Sequence, residues 1–348
     1  MKKKTVAVLF GGCSSEYSVS LESASGVIRH MDKDRFTPVL LGITQQGDWY
    51  CFTGDTDRIA DGTWASSDCA PAAISPDRSR RELLVFRKNG TQHIPLDVVF
   101  PVLHGRNGED GTVQGLCELA GIPLAGCGTL SSALCMDKER AHKLVSLTGV
   151  RVPASFALSA EYSMRQVQGM ARELGYPLFV KPVKAGSSYG VAKVSAPEML
   201  PSAVQTAFRY DKRVLLEENI PGFEVGCAVM GNAVPFTGEL DEVELSQGFF
   251  DFTEKYNLIT SKIHVPARVS SEKAAELKEK AKAIYRALDC RGFARVDMFL
   301  TPEGDVVFNE VNTIPGFTPH SRFPSMMQAV GISFEELITR IIEMAVEK

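Results

Sequence analysis

Near the C-terminus, two strand-like runs, 293–300 and 306–312, flank Thr301-Pro-Glu-Gly-Asp305. A two-residue turn at Glu303-Gly304 sets a hairpin register. That register places Asp297 opposite Glu310 and Arg295 opposite Asn312. Side chains alternate along a strand, so these four polar groups share one face. Val296, Met298, Leu300, Val307 and Val311 take the other, a core face that Asn309 interrupts. Two carboxylates and an amide oxygen held together repel unless a cation sits between them. An oxygen-only donor set suits Mg2+, with Mn2+ as a substitute, held jointly with substrate phosphates. The competing reading is a solvated, salt-bridged sheet face around Arg295.

Three further segments could hold anions. Lys181 ends the apolar run Pro177-Leu-Phe-Val180, a placement suited to a phosphate partner, although a lysine there can also snorkel to solvent. Lys184-Ala-Gly-Ser-Ser-Tyr-Gly190 follows at once, and small residues with open N–H groups can wrap phosphate oxygens. It is not a Walker loop, because Gly-x-x-x-x-Gly-Lys is absent. Gly11-Gly-Cys-Ser-Ser-Glu16 opens a helix, whose N-terminus favours an anion; an ordinary helix cap is the alternative. It lacks the dinucleotide spacing Gly-x-Gly-x-x-Gly. His104-Gly-Arg-Asn-Gly-Glu-Asp-Gly111 follows a buried strand, where α/β proteins keep ligands, so His104 reads as lining a site.

The elements that carry these segments can be read from hydrophobic spacing. Strand-like runs at Thr5–Phe10, Phe36–Ile43 and Leu96–Leu103 alternate with helical spacing over Glu16–Met31 and Thr112–Ala120. The alternation predicts a parallel α/β layer, with Ser14 or Ser15 capping the first helix. Residues 53–80 are polar and read as a surface excursion. A second unit begins near Gly128, with a helix holding Met136-Asp-Lys138 and strands at Phe179–Lys181, Val191–Val194 and Val214–Glu217. The third has a long loop, Gln247–Lys262, then a charged helix over Ser271–Leu288, the hairpin, and an amphipathic helix over Phe334–Val346.

Composition excludes several classes. The 348 residues carry 38 Lys and Arg against 42 Asp and Glu, so no basic footprint for nucleic acid exists. No apolar run approaches the roughly 18–20 residues that span a bilayer. Met1–Phe10 is too short for a signal peptide. The 8 cysteines show no metal or disulfide spacing and read as reduced thiols of a cytoplasmic protein.

Taken in order, the motifs resemble the D-alanine–D-alanine ligase family of the ATP-grasp superfamily. The resemblance rests on Phe10-Gly-Gly-Cys-Ser-Ser-Glu16, Leu103-His-Gly-Arg-Asn-Gly-Glu-Asp-Gly111 and Met136-Asp-Lys138. It continues through Val180-Lys-Pro182, Gly186-Ser-Ser188, Glu217, Glu224, Lys255-Tyr256, Arg295-Val-Asp297 and Asn309-Glu-Val-Asn-Thr-Ile-Pro-Gly316. It implies an α/β ATP-grasp fold with an N-terminal parallel α/β domain at 1–127, a central subdomain at 128–216 and a C-terminal one at 217–348. It also implies a homodimer. The implied reaction phosphorylates the carboxylate of a first D-alanine, and the amine of a second substrate then attacks the acyl phosphate. Lys138, Lys181 and Lys255 would hold ATP phosphates. Backbone near Glu217, Glu218 and Ile220 would read adenine, and Glu224 the ribose. Two Mg2+ ions would sit on Asp297, Glu310 and Asn312. Arg295 and the Gly316 N–H would form an oxyanion hole, worth about 3–4 kcal/mol per donor in other enzymes. Glu16 would bind the first ammonium, and Glu16, Ser187 and Tyr256 would tie a loop over the site. Val19, His104 and Ser321 would line the substrates.

The second substrate is read from fewer residues. Depsipeptide-forming relatives place a His in the loop that here carries Tyr256, so an amino acid is expected. Arg322 follows His320-Ser321, where alanine ligases carry an aliphatic residue. Together with Asp241 and Phe250 it resembles the D-alanine–D-serine ligases of vancomycin resistance, of the VanG and VanC type. D-serine is therefore the expected partner of D-alanine. The alternative has Arg322 merely pairing with Asp241, in an ordinary cell-wall D-alanine–D-alanine ligase.

Overall fold

The computed structural model describes residues 2–245 and 261–347. Three sheets carry the site. The first contains β1 (Lys4–Gly11), β2 (Phe36–Ile43), β3 (Trp49–Phe52), β4 (Cys69–Ile74), β5 (Glu82–Arg87), β6 (Gly90–Pro95) and β7 (Val98–Pro101). Its order is β6-β5-β4-β3-β2-β1-β7. β1 is the buried centre, with Val6 to Phe10 fully enclosed. It runs parallel to β2 and β7, but the pairs from β2 outward to β6 are antiparallel. The sheet is thus mixed rather than purely parallel. The links after β2 and after β5 are tight turns, and a parallel neighbour needs a crossover of a dozen or more residues.

The polar stretch 53–80 is likewise not a pure surface excursion. Trp64 within it is fully buried, edge-on to Phe10 at 5.0 Å, and its indole N–H donates to Tyr17 Oη at 2.9 Å. Strand β4 adds the other half of the correction. The indole explains this: it is the largest apolar payload in the segment, with one donor to satisfy.

The second sheet contains β8 (Ser155–Ser159), β9 (Leu178–Pro182), β10 (Ala192–Val194) and β11 (Arg213–Glu218) in antiparallel order β10-β9-β11-β8. The helical stretch before it is broken. Helix Thr129–Met136 stops, Asp137 is extended at φ −91° and ψ 93°, and its carboxylate accepts from Arg140 N to cap helix Lys138–Ser146. No single helix holds 136–138; the cap sets Lys138 at the start of the new one.

The third sheet contains β12 (Phe223–Met230), β13 (Phe236–Leu245), β14 (Ser261–His264), β15 (Phe293–Leu300) and β16 (Val306–Asn312), in the order β14-β13-β12-β15-β16. The hairpin β15–β16 pairs Asp297 with Glu310 and Arg295 with Asn312, the expected pairs, but not through a two-residue turn at Glu303-Gly304: Thr301 faces Asp305, and a bulge restores the register. Nearer the turn the register differs, with Leu300 opposite Val306 and Met298 opposite Phe308. A bulge at this shift absorbs Asn309, so that residue no longer interrupts the core face. The core side is Val306, Phe308 and Val311, and Val307 is not part of that apolar cluster.

The first and third units share a core. Val8, Phe10 and Phe100 pack with Phe293, Phe317 and the C-terminal helix Phe334–Val346 through Ile338 and Ile341. The segment after β16 is thereby drawn across the carboxyl ends of β1 and β7, the place where open α/β sheets bind ligands.

Candidate active site

Two cavities meet at Glu310. The first, about 360 Å³, lies between the second and third sheets. Lys138, Lys181, Ser187, Glu217, Glu218, Ile220, Glu224 and Glu310 line it, with Phe179, Val191, Val243 and Phe299 as apolar walls. A cavity with apolar walls and several lysines suits a purine nucleotide. Lys181 extends from β9 to Glu217 on β11, 2.5 Å away, across a direct strand pair. Lys138 donates to the Ala185 carbonyl at 2.9 Å and lies 3.4 Å from Glu310. It therefore links the glycine-serine loop to the hairpin.

The second cavity, about 350 Å³, is lined by Glu16, Val19, His104, Arg295, Asn312, Gly316, Ser321 and Arg322. Ser187 donates to Glu16, joining the loop 184–190 to the first helix. Ser187 and Ser188 hold positive φ, 48° and 59°, a conformation that non-glycine residues adopt at a cost. Neither Ser14 nor Ser15 caps the first helix; its N-cap is Glu16, whose side chain makes no capping bond to the helix. Ser14 instead donates to the His104 carbonyl at 2.7 Å, binding the two loops. His104 is buried, with Nδ1 2.9 Å from the Ile314 carbonyl, and burial lowers its pKa.

Gly105 shows how closely these loops meet. Its φ is +71°, and a Cβ there would stand 2.7 Å from Glu16 Oε2. Glu109 was not singled out by sequence spacing, yet it is central. It accepts from Gly105 N at 2.8 Å and from Ile314 N at 3.2 Å. Burial, then the Glu16 charge, push its pKa up to about 8. Its loop was legible in the sequence; its burial beside Glu16 was not.

At the hairpin, Arg295 grips Asp297 with two bonds of 2.7 Å, and Asn312 Nδ2 donates to Asp297 Oδ2 at 2.8 Å. Burial opposes the charge on Arg295, but Asp297 outweighs it and the pKa is raised. Among the described residues, no group of three or more His, Cys, Asp or Glu could hold a metal alone. The donor set is two facing carboxylates and one amide, and Glu310 lines both cavities. That fits an octahedral cation carried in on phosphates rather than a resident ion in a protein cage. Asn312 would serve through Oδ1, by rotation of its amide.

Arg322 has the most charged surroundings. Its Nε and Nη2 reach Asp241 at 2.6 and 2.7 Å, its Nη1 reaches Glu224 at 2.7 Å, and Nη2 lies 3.5 Å from Asp297. Burial opposes its charge, yet Asp241, Asp297 and Glu224 outweigh it and raise its pKa well above the usual value. Asp241 is fully buried and lines neither cavity, so it acts on any substrate only through Arg322. Lys255, Tyr256 and Phe250 lie outside the described residues.

Comparison with known proteins agrees with this geometry. The family model "D-ala D-ala ligase N-terminus" matches residues 5–127, and "D-ala D-ala ligase C-terminus" matches 144–343. A D-alanine–D-alanine ligase of Caldicellulosiruptor bescii is 42% identical over 100% of this chain and 96% of its own. The vancomycin/teicoplanin A-type resistance protein VanA of Enterococcus faecium is 41% identical, with 100% of both chains covered. Among solved structures, the VanG D-Ala:D-Ser ligase of Enterococcus faecalis superposes with a TM-score of 0.92 at 50% identity, covering 99% of this chain and 100% of that one. These likenesses carry the ATP-grasp fold with them. The chain belongs to the D-alanine–D-alanine ligase family, ATP-dependent ligases that join D-alanine to a second small substrate in cell-wall synthesis.

Proposed function

We propose that this ligase makes D-alanyl-D-serine, with ATP in the first cavity, the two amino acids in the second, and Mg2+ at Asp297, Glu310 and Asn312. The observation that carries the D-serine reading is the clamped guanidinium of Arg322 on the wall of the second cavity. Three of its N–H groups are committed to Asp241 and Glu224, and a guanidinium has five. A hydroxyl of the second substrate finds a rigid, charged donor there. A site built to hydrogen-bond a hydroxyl disfavours a substrate that lacks one. The likeness to a D-Ala:D-Ser ligase at 50% identity points the same way.

In this reading Lys138, Lys181 and Lys255 hold phosphates, while backbone at Glu217, Glu218 and Ile220 reads adenine. Glu224, on the cavity wall, faces the ribose while holding Arg322. Bound Mg2+ would neutralise the phosphate charge that the lysines leave. Glu16 takes the ammonium of the first D-alanine, beside Val19 and His104. Transfer of the ATP γ-phosphoryl group to its carboxylate releases ADP and gives an acyl phosphate; the second amine attacks the carbonyl, inorganic phosphate leaves, and the amine's proton passes to solvent. Arg295 and the Gly316 N–H receive the charge that develops on the carbonyl oxygen. Ser321 and Phe250 complete the pocket, and Glu16, Ser187 and Tyr256 close the loop and exclude water from the acyl phosphate. Among the described residues no helix is long and apolar enough to cross a membrane. The reading takes the protein as a cytoplasmic homodimer serving vancomycin resistance.

One observation favours a second reading, D-alanine as the second substrate. The charge of Arg322 is already satisfied by Asp241 and Glu224, which suits a structural role. The deciding experiment measures ADP release with Mg-ATP and D-alanine, alone and with D-serine or D-lactate, and identifies products by mass. Dominant D-alanyl-D-serine under competition supports the first reading; dominant D-alanyl-D-alanine supports the second.

A further inference from the structure

Behind the wall of the first cavity stands a buried histidine that the reaction does not use. His142 lies one turn after Lys138 on helix Lys138–Ser146 and is 3% exposed, but it does not line the cavity. Its Nε2 is 3.1 Å from the carbonyl of Asn309, the bulge residue. A carbonyl only accepts, so Nε2 carries the proton. In the neutral ring Nδ1 is then a lone pair. It faces Glu217 Oε2 at 3.8 Å, and among the described residues neither buried atom has a hydrogen-bond partner. The other oxygen of Glu217 binds Lys181 at 2.5 Å. Two acceptors thus confront each other at 3.8 Å, on a carboxylate that the lysine assigned to phosphate also uses.

We propose that His142 is a positioning residue of the nucleotide pocket: it pins the Asn309 bulge and shares Glu217 with Lys181, so that a proton on Nδ1 releases Lys181 toward phosphate. This rests on the reading that the first cavity holds ATP. Three charged groups act on the imidazole. Glu217 on β11 favours its charged form, and Lys181 on β9 and Lys138 on its own helix oppose it. Burial opposes it most, and the ring's pKa lies below its ordinary value. Phosphate oxygens arriving at the two lysines cancel their repulsion. The imidazole then takes a proton from solvent onto Nδ1, and a charge-assisted Nδ1–H bond to Glu217 replaces the acceptor–acceptor contact. Linkage requires the reciprocal effect: nucleotide binds more tightly as pH falls through the imidazole's range.

The test compares wild-type protein with His142→Gln. The glutamine amide keeps a donor for the Asn309 carbonyl but cannot take a proton beside Glu217. Affinity for a non-hydrolysable Mg-ATP analogue is measured by calorimetry at pH 6, 7 and 8, with KM and kcat at the same values. The nucleotide's own titration is common to both proteins and cancels in the comparison. In the wild type, affinity should weaken as pH rises. In His142→Gln it should be weaker by about tenfold at pH 6, the loss of one bond to a charged group, with a flatter pH profile than wild type and kcat within about twofold. Unchanged affinity and an identical pH profile in the variant overturn the proposal. A parallel loss in kcat, in the KM of both substrates and in thermal midpoint also overturns it, since that marks a purely structural residue. If the first variant folds poorly, His142→Asn, equally without a titratable proton, should also show a flatter profile than wild type; a profile identical to wild type there overturns the proposal. No binding of the analogue by the wild type would instead refute the ATP reading itself.

Discussion

Arg322 Nη1 stands 2.7 Å from Glu224 Oε1, and this bond links the walls of the two cavities, which also meet at Glu310. Glu224 lines the first and Arg322 the second. A side chain placed to choose the second substrate is therefore anchored on one placed to hold the nucleotide. Removing Arg322 strands the fully buried Asp241, and breaking one side of such a pair costs about 3–5 kcal/mol. The informative variant is accordingly Arg322→Leu combined with Asp241→Asn. Its ratio of kcat/KM for D-serine over D-alanine should fall by about tenfold or more. An unchanged ratio would return Arg322 to a structural role.

Gly226 tests the same cluster without changing a charge. A Cβ there would stand 2.4 Å from Asp241 Oδ1 and 2.6 Å from Arg322 Nη2. Gly226→Ala should destabilise the protein by about 1–3 kcal/mol through overpacking, and shift the substrate ratio in the same direction. Denaturant unfolding alongside competition assays checks both. A stable variant with an unaltered ratio would contradict the tightness of the clamp.

Glu310 is where both cavities and the hairpin meet. Glu310→Gln keeps the shape but removes a charge facing Asp297. Metal-assisted charge stabilisation of several kcal/mol corresponds to about a thousandfold in kcat. We expect that loss in ADP release, with circular dichroism and thermal midpoint close to wild type. Near-wild-type turnover would remove the metal assignment.

Glu109 makes stability depend on pH in an unusual direction for a carboxyl group. Its folded pKa of about 8 lies above its ordinary value of 4.5, so the fold prefers the protonated form. The stabilisation is complete below about pH 4.5 and is lost as pH rises through about 8. The slope is at most about 1.4 kcal/mol per pH unit. Glu109→Gln cannot ionise, so the thermal midpoint of the wild type should fall relative to the variant between pH 5 and 8. Parallel midpoint curves for the two proteins would show that Glu109 does not titrate in this window.

Much of this protein was legible in its sequence where the controlling physics is local. Strand alternation was enough to put Asp297 and Glu310 on one face, although their pairing also needed a bulge that the expected turn did not include. The 3.6-residue period was enough for the terminal helix Phe334–Val346. Motif order was enough for the family. Other features depended on residues far apart in the chain. The bulge at Asn309 belongs to the paired strands, and it puts Val306 and Phe308 in the apolar cluster while Val307 stays fully buried outside it, although nothing in 306–312 announces it. Trp64 is buried because Phe10, Phe52 and Tyr17 enclose it. Glu109 has a raised pKa first because it is desolvated in the cavity and then because Glu16, 93 positions away in the chain, lies beside it. Arg322 meets Asp241 across 81 residues and Glu224 across 98. Side-chain type and short-range period determined which chemistry the chain carries. Long-range packing, which excludes water and sets charges against each other, decided which of those groups share a site and in what state of charge.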